Sequence, residues 1–204
     1  ECGAVPLDLG RCPDDALSTR QFMSEAAEKA DCVITTGGMS VGEEDYVRQQ
    51  VEALGHIDFW KLAIKPGKPV AFGQIQNTPF FGLPGNPVSA YVTFHLLVRP
   101  WLLKSMGLCE LADIDLADGT LKGYSATVNF ERHNRGRRLD FLRGMAQVNE
   151  SGELVAELFD NQSSGVLSSI SAANILIPMA AGQQLYPGDR CSILPLSCFG
   201  ELQF

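Results

Sequence analysis

The regular alternation of strand-like and helix-like segments over residues 1–110 is the feature that most constrains the fold. Cys32–Thr36 is apolar and β-branched, which predicts a buried strand, and a helix from Asp14 or Asp15 to about Ala30 precedes it. Strands that alternate with helices are typical of βαβ units in a mostly parallel sheet. The other predicted elements are helices at Asp45–Leu54 and Val88–Met106, and strands at Ala4–Leu9, Ile57–Ala63, Val70–Gly73 and Thr78–Phe81.

The pattern changes near residues 107–112, after which β-favouring segments separated by turn residues predominate. We therefore divide the chain into an α/β domain, residues 1–110, and a small, partly closed β-barrel domain, residues 111–204. The strands predicted in the second domain are Ser125–Asn129, Leu139–Val148, Leu154–Leu158, Ile175–Pro178 and Asp189–Leu194.

Composition and charge exclude several classes of function. A net charge of −8 disfavours general binding to nucleic acid or acidic membranes, so an anionic ligand requires a local cluster of basic residues. Six cysteines without a C-x-x-C pair and three scattered histidines give no zinc site, and we expect reduced thiols in the cytosol. Because the sequence opens in mid-pattern with Glu1, we expect it to be a fragment of a longer protein.

Three loops that follow predicted strands carry the residues most suited to chemistry, and such strand ends form the ligand crevice of parallel sheets. The first loop runs from Thr35 to Asp45. Its paired glycines, Gly37 and Gly38, let the backbone approach an anion, and Thr36 and Ser40 add hydroxyl groups. An ordinary strand-to-helix turn, with Asp45 as a helix-terminus charge, is the simpler interpretation of this loop taken alone.

The second loop, Lys61–Pro69, contains three of the six lysines of the chain: Lys61, Lys65 and Lys68. Two prolines stiffen this loop, so we expect its ammonium groups to be held near one another. Like charges repel, and a multiply charged anion is the usual reason to bring them together. Although a solvated lysine-rich loop is the alternative, we favour an anion site here.

The third loop, Phe81–Ala90, combines a helix cap with a stiff turn. Asn86 is a favourable N-cap, and Pro87 suits the first helical position. The N–H groups of Val88 and Ser89 then offer an anion site, although capping alone would explain the pattern. Pro84 and Gly85 shape the turn before the cap, which suits the wall of a pocket.

Five of the ten arginines lie between residues 132 and 143, in the β domain. This cluster either reaches a phosphate group or forms a solvated hairpin tip, and the tip is slightly favoured.

Three motifs in this order, TTGGMSVGEEDY, FWKLAIKPGKPVAFG and FGLPGNPVSAYVTF, resemble the MoeA family of molybdopterin molybdenumtransferases, which includes the gephyrin E domain. The resemblance covers nearly all of residues 1–110 and continues more weakly through GVLSSISAANILIP in the β domain. It implies a partial molybdopterin-binding α/β domain of three layers, followed by the family's C-terminal β-barrel. By this resemblance, we expect the T-G-D-E-type strand end and the N-terminal domains of the family to lie ahead of the point at which this sequence begins.

The resemblance also implies a function and roles for particular residues. The family inserts molybdate into adenylated molybdopterin with a magnesium-type ion, releases AMP and usually works as a homodimer. By motif, Asp45 is the essential acid, Lys61, Lys65 and Lys68 hold molybdate or phosphate, and Pro84 and Pro87 shape the pocket. Asp14 matches an acidic position, and Asp14 and Asp45 supply the hard oxygen ligands that Mg²⁺ prefers.

Two alternatives remain at this point. The chain either serves as a non-catalytic, pterin-binding or dimerising scaffold of the gephyrin type, or belongs to a transferase that acts on another nucleotide or pterin. Fold alone does not decide between them.

Overall fold

The computed structural model describes residues 2–38, 46–108, 115–116, 119 and 124–196. These residues form two compact units. The first unit consists of Gly3–Leu62 and Gly67–Val98, and the second contains Ala63–Pro66 and the described residues from Arg99 onward. The first unit is α/β and the second is built on a barrel-like sheet, so the predicted fold class is confirmed.

The first unit is built on a four-stranded sheet in the order β1-β5-β4-β2. Its helices and strands are α1 (Ala16–Lys29), β1 (Val33–Thr36), α2 (Tyr46–Leu54), β2 (Gly55–Trp60), β4 (Ala71–Ile75), β5 (Thr78–Leu83) and α3 (Pro87–Thr93). The pair β1–β5 is parallel, whereas β5–β4 and β4–β2 are antiparallel. This sheet is therefore mixed rather than mostly parallel, because short connections join β2, β4 and β5 without a crossover helix.

A core of apolar residues joins α1 and α2 to one face of this sheet. It contains Met23 and Ala27 from α1, Val51 from α2, and Val33 and Phe80 from the strands. Two hydrogen bonds, from Thr78 Oγ1 to Ala27 O at 2.9 Å and from Gln76 Nε2 to Ser24 Oγ at 3.2 Å, connect the later turns of α1 to the start of β5. The first turn of α1 consequently lies toward the opposite edge of the sheet, at which β1 and β5 end.

The second unit is built mainly on a seven-stranded, barrel-like sheet. Its elements are β3 (Ile64–Lys65), α4 (Arg99–Ser105), β6 (Ser125–Val128), β7 (Arg132–His133), β8 (Leu139–Val148), β9 (Leu154–Leu158), α5 (Ser168–Ser171), β10 (Ile175–Met179), β11 (Gln184–Leu185), β12 (Arg190–Ser192) and β13 (Leu194–Pro195). Strands β12 and β13 lie at the two ends of the order β12-β6-β9-β8-β10-β13, yet only Ile193 separates them in the chain. The sheet must therefore curl until its ends approach each other, around a core that includes Leu142, Ile175 and Ile177.

Several boundaries differ from the sequence prediction. Ala4–Leu9 is an exposed, irregular segment rather than a strand, and no described strand pairs with it. The helix predicted over Val88–Met106 consists of α3, a π-helical segment at Phe94–Val98, and α4. Pro100 explains the interruption, because it has no N–H to donate to the preceding turn. Within the described residues, none of the helices has both the length and the apolar character needed to cross a membrane.

Candidate functional site

Strands β1, β2 and β5 of the first unit run in the same direction and end at one edge of the sheet, which we call the carboxyl edge. The residues Thr35, Gly82, Ala71 and Trp60 lie in register across the four strands. The residues that follow this row in β1, β5 and β2, and those that precede it in β4, therefore share the edge, with β1 and β2 about 14 Å apart at the usual strand spacing. This register brings parts of all three predicted loops to the carboxyl edge.

The Gly-Gly turn and the Pro84–Pro87 loop are direct neighbours at the carboxyl edge. Gly37 donates its N–H to Leu83 O at 3.0 Å, which extends the pairing of β1 with β5. A Cβ atom on Gly85 would lie 3.4 Å from the Gly37 Cα, so the two backbones nearly touch. The Gly37 N–H is consequently unavailable to an anion, whereas Thr36 and Gly38 are exposed beside it.

Gly38 occupies a position that only glycine tolerates. Its φ is +67°, and a Cβ atom there would lie 2.5 Å from the Val47 Cγ2 of helix α2. A larger residue would therefore be strained at this φ and would force the Val47 side chain, or α2 itself, to shift. Ser40 and Asp45, which complete this predicted loop, lie outside the residues that the structure describes, and their roles remain predictions.

The second loop of the sequence analysis, Lys61–Pro69, is divided between the two units. Lys61 and Lys68 lie in the first unit, where Lys61 donates its N–H to Val70 O at 2.8 Å and Lys68 O accepts the Leu62 N–H at 3.1 Å. Both lysines therefore lie at the carboxyl edge, next to the paired ends of β2 and β4. Lys61 has a φ of +94°, which is uncommon for a non-glycine residue and costs on the order of 1 kcal/mol.

The third loop forms the helix cap that the sequence predicts. Asn86 Oδ1 accepts the Ser89 N–H at 3.1 Å, and Pro87 is the first residue of α3. The expectation that the Ser89 N–H is free for an anion is therefore wrong, because the cap occupies it. Pro84 and Ser89 are buried, while Gly85, Asn86 and Pro87 are exposed at this edge.

Asp14 and Asp15 lie side by side at the start of α1, but they differ in environment. Asp15 Oδ1 accepts the Ser18 N–H at 2.8 Å as the N-cap of α1, and this hydrogen bond lowers the pKa of Asp15 below its ordinary value. Asp14 is exposed and precedes the cap. The orientation of α1 places this carboxylate toward the carboxyl edge. Among the described residues, no group of three or more acidic, histidine or cysteine side chains could hold a metal ion.

Lys65 belongs to the second unit, where Ile64–Lys65 pairs in parallel with the start of β8. Its Nζ lies 3.1 Å from Asp140 Oδ2, and the Asp140 side chain is only 7% exposed whereas that of Lys65 is 53% exposed. The buried Asp140 carboxylate therefore holds the Lys65 ammonium group in position, while the Lys65 side chain remains open to solvent. Sequence spacing gave no indication of this pair, because 75 positions separate its two residues.

Lys65 and four arginines of the second unit form what we call the arginine surface: Lys65, Arg132, Arg135, Arg137 and Arg138. These side chains line a depression of about 410 Å³, together with Asp140 and the other residues of the 132–138 segment. Among the described residues that line it, five carry cationic side chains and one, Asp140, carries a carboxylate. Arg138 also donates to Ile64 O at 3.2 Å, which ties the segment to β3.

Arg143 does not belong to this surface, although it belongs to the same cluster in the sequence. It is 1% exposed, and its side chain donates to Ser169 Oγ and Ser163 O, each at 3.3 Å. Burial lowers the pKa of this guanidinium, an effect that Asp140 partly opposes. Arg135 and Arg137 are exposed, which agrees with both alternatives for the cluster, whereas buried Arg143 agrees with neither.

Comparisons with known proteins match both halves of the chain. A family model described as "Probable molybdopterin binding domain" matches residues 1–104, and the model of the MoeA C-terminal region (domain IV) matches residues 125–196.

Full-length relatives match nearly the whole chain. It is 40% identical, over 94% of its length, to the molybdopterin molybdenumtransferase of Haemophilus influenzae. It is 36% identical, over 93% of its length, to the molybdenum cofactor synthesis protein cinnamon of Drosophila melanogaster. The chain covers 46% and 29% of these two proteins, so it spans less than half the length of either.

A solved structure agrees with these relatives. The crystal structure of a molybdopterin biosynthesis MoeA protein from Pyrococcus horikosii matches 91% of the chain with a TM-score of 0.68 and 26% identity, and the chain covers 42% of it. Sequence motifs, both family models and the fold therefore agree, and the chain belongs to the MoeA family of molybdopterin molybdenumtransferases.

Proposed function

We propose that this chain forms the pterin- and oxyanion-binding part of an enzyme that inserts molybdate into adenylated molybdopterin and releases AMP. The observation that carries the proposal is the carboxyl edge, at which the register aligns the Gly-Gly turn, the Pro84–Pro87 loop and two lysines. Strand ends of this kind form the ligand crevices of α/β proteins. Relatives that bear the transferase name support the choice of reaction.

Both substrates are anions, and the chain supplies cations for them despite its net charge of −8. Molybdate is a small oxyanion that requires fixed cationic and hydrogen-bonding groups rather than an apolar pocket. We assign Lys61 and Lys68 to this task in the first unit, and Lys65 with the arginine surface in the second. A protein that positions and neutralises charged groups in this way need not supply a nucleophile.

Exposed residues of the first and third loops lie at the same carboxyl edge as Lys61 and Lys68, and we assign them to the pterin and its diphosphate. Thr36 ends β1 and Gly38 lies just after it, and Gly85, Asn86 and Pro87 follow β5. Because Gly37 and Gly85 almost touch, the two loops form one continuous surface. We propose that the pterin lies on this surface, with buried Pro84 as its rigid support.

Magnesium fits the donor chemistry at this edge, because Mg²⁺ binds one or two carboxylates together with substrate phosphates and water. Exposed Asp14 and, in the undescribed segment, Asp45 are the carboxylates that we propose as ligands. When bound, the ion would neutralise charge on the diphosphate and its leaving group. By family resemblance, we also propose that the full-length parent works as a homodimer in the cytoplasm.

Lys65→Ala in the full-length parent tests this function. We expect it to reduce molybdate-dependent AMP release from adenylated molybdopterin by at least about 100-fold, because a charged substrate contact is lost. The matched control is Asp140→Asn, which breaks the same ion pair but keeps the ammonium group, and it should retain at least about tenfold more activity than Lys65→Ala.

The two variants also separate a chemical role from a structural one. Equal losses in folded Lys65→Ala and Asp140→Asn would mean that the ion pair only supports the fold. A parent enzyme that releases no AMP in the presence of molybdate and magnesium would refute the proposed transferase activity itself.

A further inference from the structure

Asn134 is the one buried residue within the exposed and half-buried segment 131–138. It is 7% exposed, whereas its neighbours His133 and Arg135 are exposed. Its side-chain Nδ2 donates to Arg138 O at 2.9 Å, to Met179 O at 2.9 Å and to Ala180 O at 3.0 Å. Its Oδ1 accepts the Gly136 N–H at 3.0 Å, so both ends of the amide are in use.

The backbone of Asn134 is held as firmly as its side chain. Its N–H donates to Gln183 O at 3.0 Å, and its carbonyl accepts the Gly182 N–H at 2.9 Å. Asn134 therefore anchors one end of the 134–138 loop to the turn between β10 and β11. Through Arg138 O, the same side chain also closes the other end of the loop.

This loop needs such an anchor because of what it carries. Within five positions it holds Arg135, Arg137 and Arg138, and Arg132 and Lys65 flank the same depression. Guanidinium groups that crowd together repel one another, and an unrestrained loop would spread them apart in solvent. A fixed, buried amide beneath them maintains the crowded arrangement that binding of a multiply charged oxyanion requires.

We propose that Asn134 is a positioning residue, which holds the arginine surface in the conformation that binds a diphosphate-type oxyanion. The inference rests on the proposed function, since it takes the arginine surface as part of the anion-binding machinery. Asn134 itself does not contact the ligand, and it acts through the arginines above it.

Inorganic pyrophosphate, titrated calorimetrically into the whole chain, measures this role. We expect Asn134→Ala to weaken pyrophosphate binding by about tenfold, because the arginines lose their shared geometry. Asn174→Ala is the matched control. Asn174 Oδ1 accepts the Ala146 N–H at 2.7 Å and its Nδ2 donates to Ala146 O at 2.9 Å, in the same unit but outside the residues that line the depression. It should lose stability too, yet bind pyrophosphate within about twofold of wild type.

A double-mutant cycle distinguishes positioning from general destabilisation. In an Arg135→Ala, Arg137→Ala background, Asn134→Ala should cause a clearly smaller loss of affinity than in wild type, because two of the three arginines on the loop that it anchors are gone. If Asn134→Ala does not fold, Asn134→Ser, which supplies one hydroxyl group in place of the amide, replaces it in the cycle.

Three results would overturn the inference: wild-type affinity in the folded Asn134 variant, an equal loss in Asn174→Ala, or an undiminished loss in the Arg135→Ala, Arg137→Ala background. Failure of the proposed function looks different. In that case wild-type protein binds no pyrophosphate, or binds it with an affinity that the two arginine substitutions leave unchanged, and the anion-binding role of the surface falls together with that of Asn134.

Discussion

Burial determines the acid–base behaviour of two cysteines in this chain. Desolvation raises the pKa of the Cys191 thiol to about 11, and desolvation together with the charge of Asp31 raises that of Cys32 to about 12. Cys191 lies in the core of the second unit and is 6% exposed. Both thiols are therefore protonated near neutral pH and poorly suited to nucleophilic or metal-binding roles.

The raised pKa of Cys191 predicts how stability depends on pH. The folded state keeps this proton where the unfolded state, with a pKa near 9.0, has lost it. The protonated Cys191 thiol therefore makes its full contribution to the free energy of unfolding below pH 9. This contribution, on the order of 2 kcal/mol, is lost as the pH rises toward 11. In denaturant titrations between pH 8 and 11, the stability of wild type should fall more steeply than that of Cys191→Ala.

Cys12→Ala is the control for that experiment, because Cys12 lies outside the two apolar cores. Its stability curve should run parallel to that of wild type. Parallel curves for Cys191→Ala as well would show that the thiol is not desolvated in the folded protein.

Among single residues, those with local roles could be predicted from the sequence, whereas those with long-range contacts could not. The helix cap at Asn86 follows from local spacing, and the structure confirms it. The burial of Arg143 and the pairing of Lys65 with Asp140 depend on strands that meet only after folding. A cluster of arginines in a sequence therefore does not reveal which one points inward.

Helix caps connect local stability to the candidate site. Asp15 and Asn86 have the same geometry, in which a side-chain oxygen accepts the N–H three residues later. Asn86 is also a predicted substrate residue, at the junction between β5 and α3. Its capping role must therefore be separated from any contact with a ligand.

Substitutions at Asn86 achieve that separation. Asn86→Ala should destabilise the protein by about 1 kcal/mol, because the Ser89 N–H loses its acceptor. Asn86→Ser and Asn86→Asp should keep most of that stability, since both are good caps. With Asn86→Asp, however, the added negative charge should weaken binding of adenylated molybdopterin relative to Asn86→Ser. Thermal unfolding and ligand titration of the three variants measure these effects, and equal binding by the serine and aspartate variants would remove Asn86 from the site.

At the scale of elements, long amphipathic or β-branched segments were predictable and short ones were not. The sequence pattern locates α1, β1, β8 and β10 within a few residues. Two-residue strands such as Ile64–Lys65 and Gln184–Leu185 carry too few side chains to show a period, and only a partner strand defines them. The exposed segment at Ala4–Leu9 illustrates the converse, because apolar residues without a neighbouring strand do not form one.

For the whole molecule, the two units contribute different parts of the proposed chemistry. The first contributes a carboxyl edge with glycines, lysines and a capped loop, and the second contributes the arginine surface. The convergence at the carboxyl edge could be foreseen, because each of these loops follows a strand of one sheet. The assignment of Lys65 to the second unit could not, since it depends on pairing between β3 and β8.

The central claim is that the carboxyl edge holds the pterin substrate. Anaerobic titration of the chain with adenylated molybdopterin, with molybdate and magnesium present, tests it most directly. Lys61→Ala should weaken saturable binding by at least about tenfold. Lys29→Ala removes a lysine of the same unit from the last turn of α1, toward the opposite edge of the sheet, and should bind within about twofold of wild type. An equal loss in both variants, or no saturable binding by folded wild-type chain, would contradict the account.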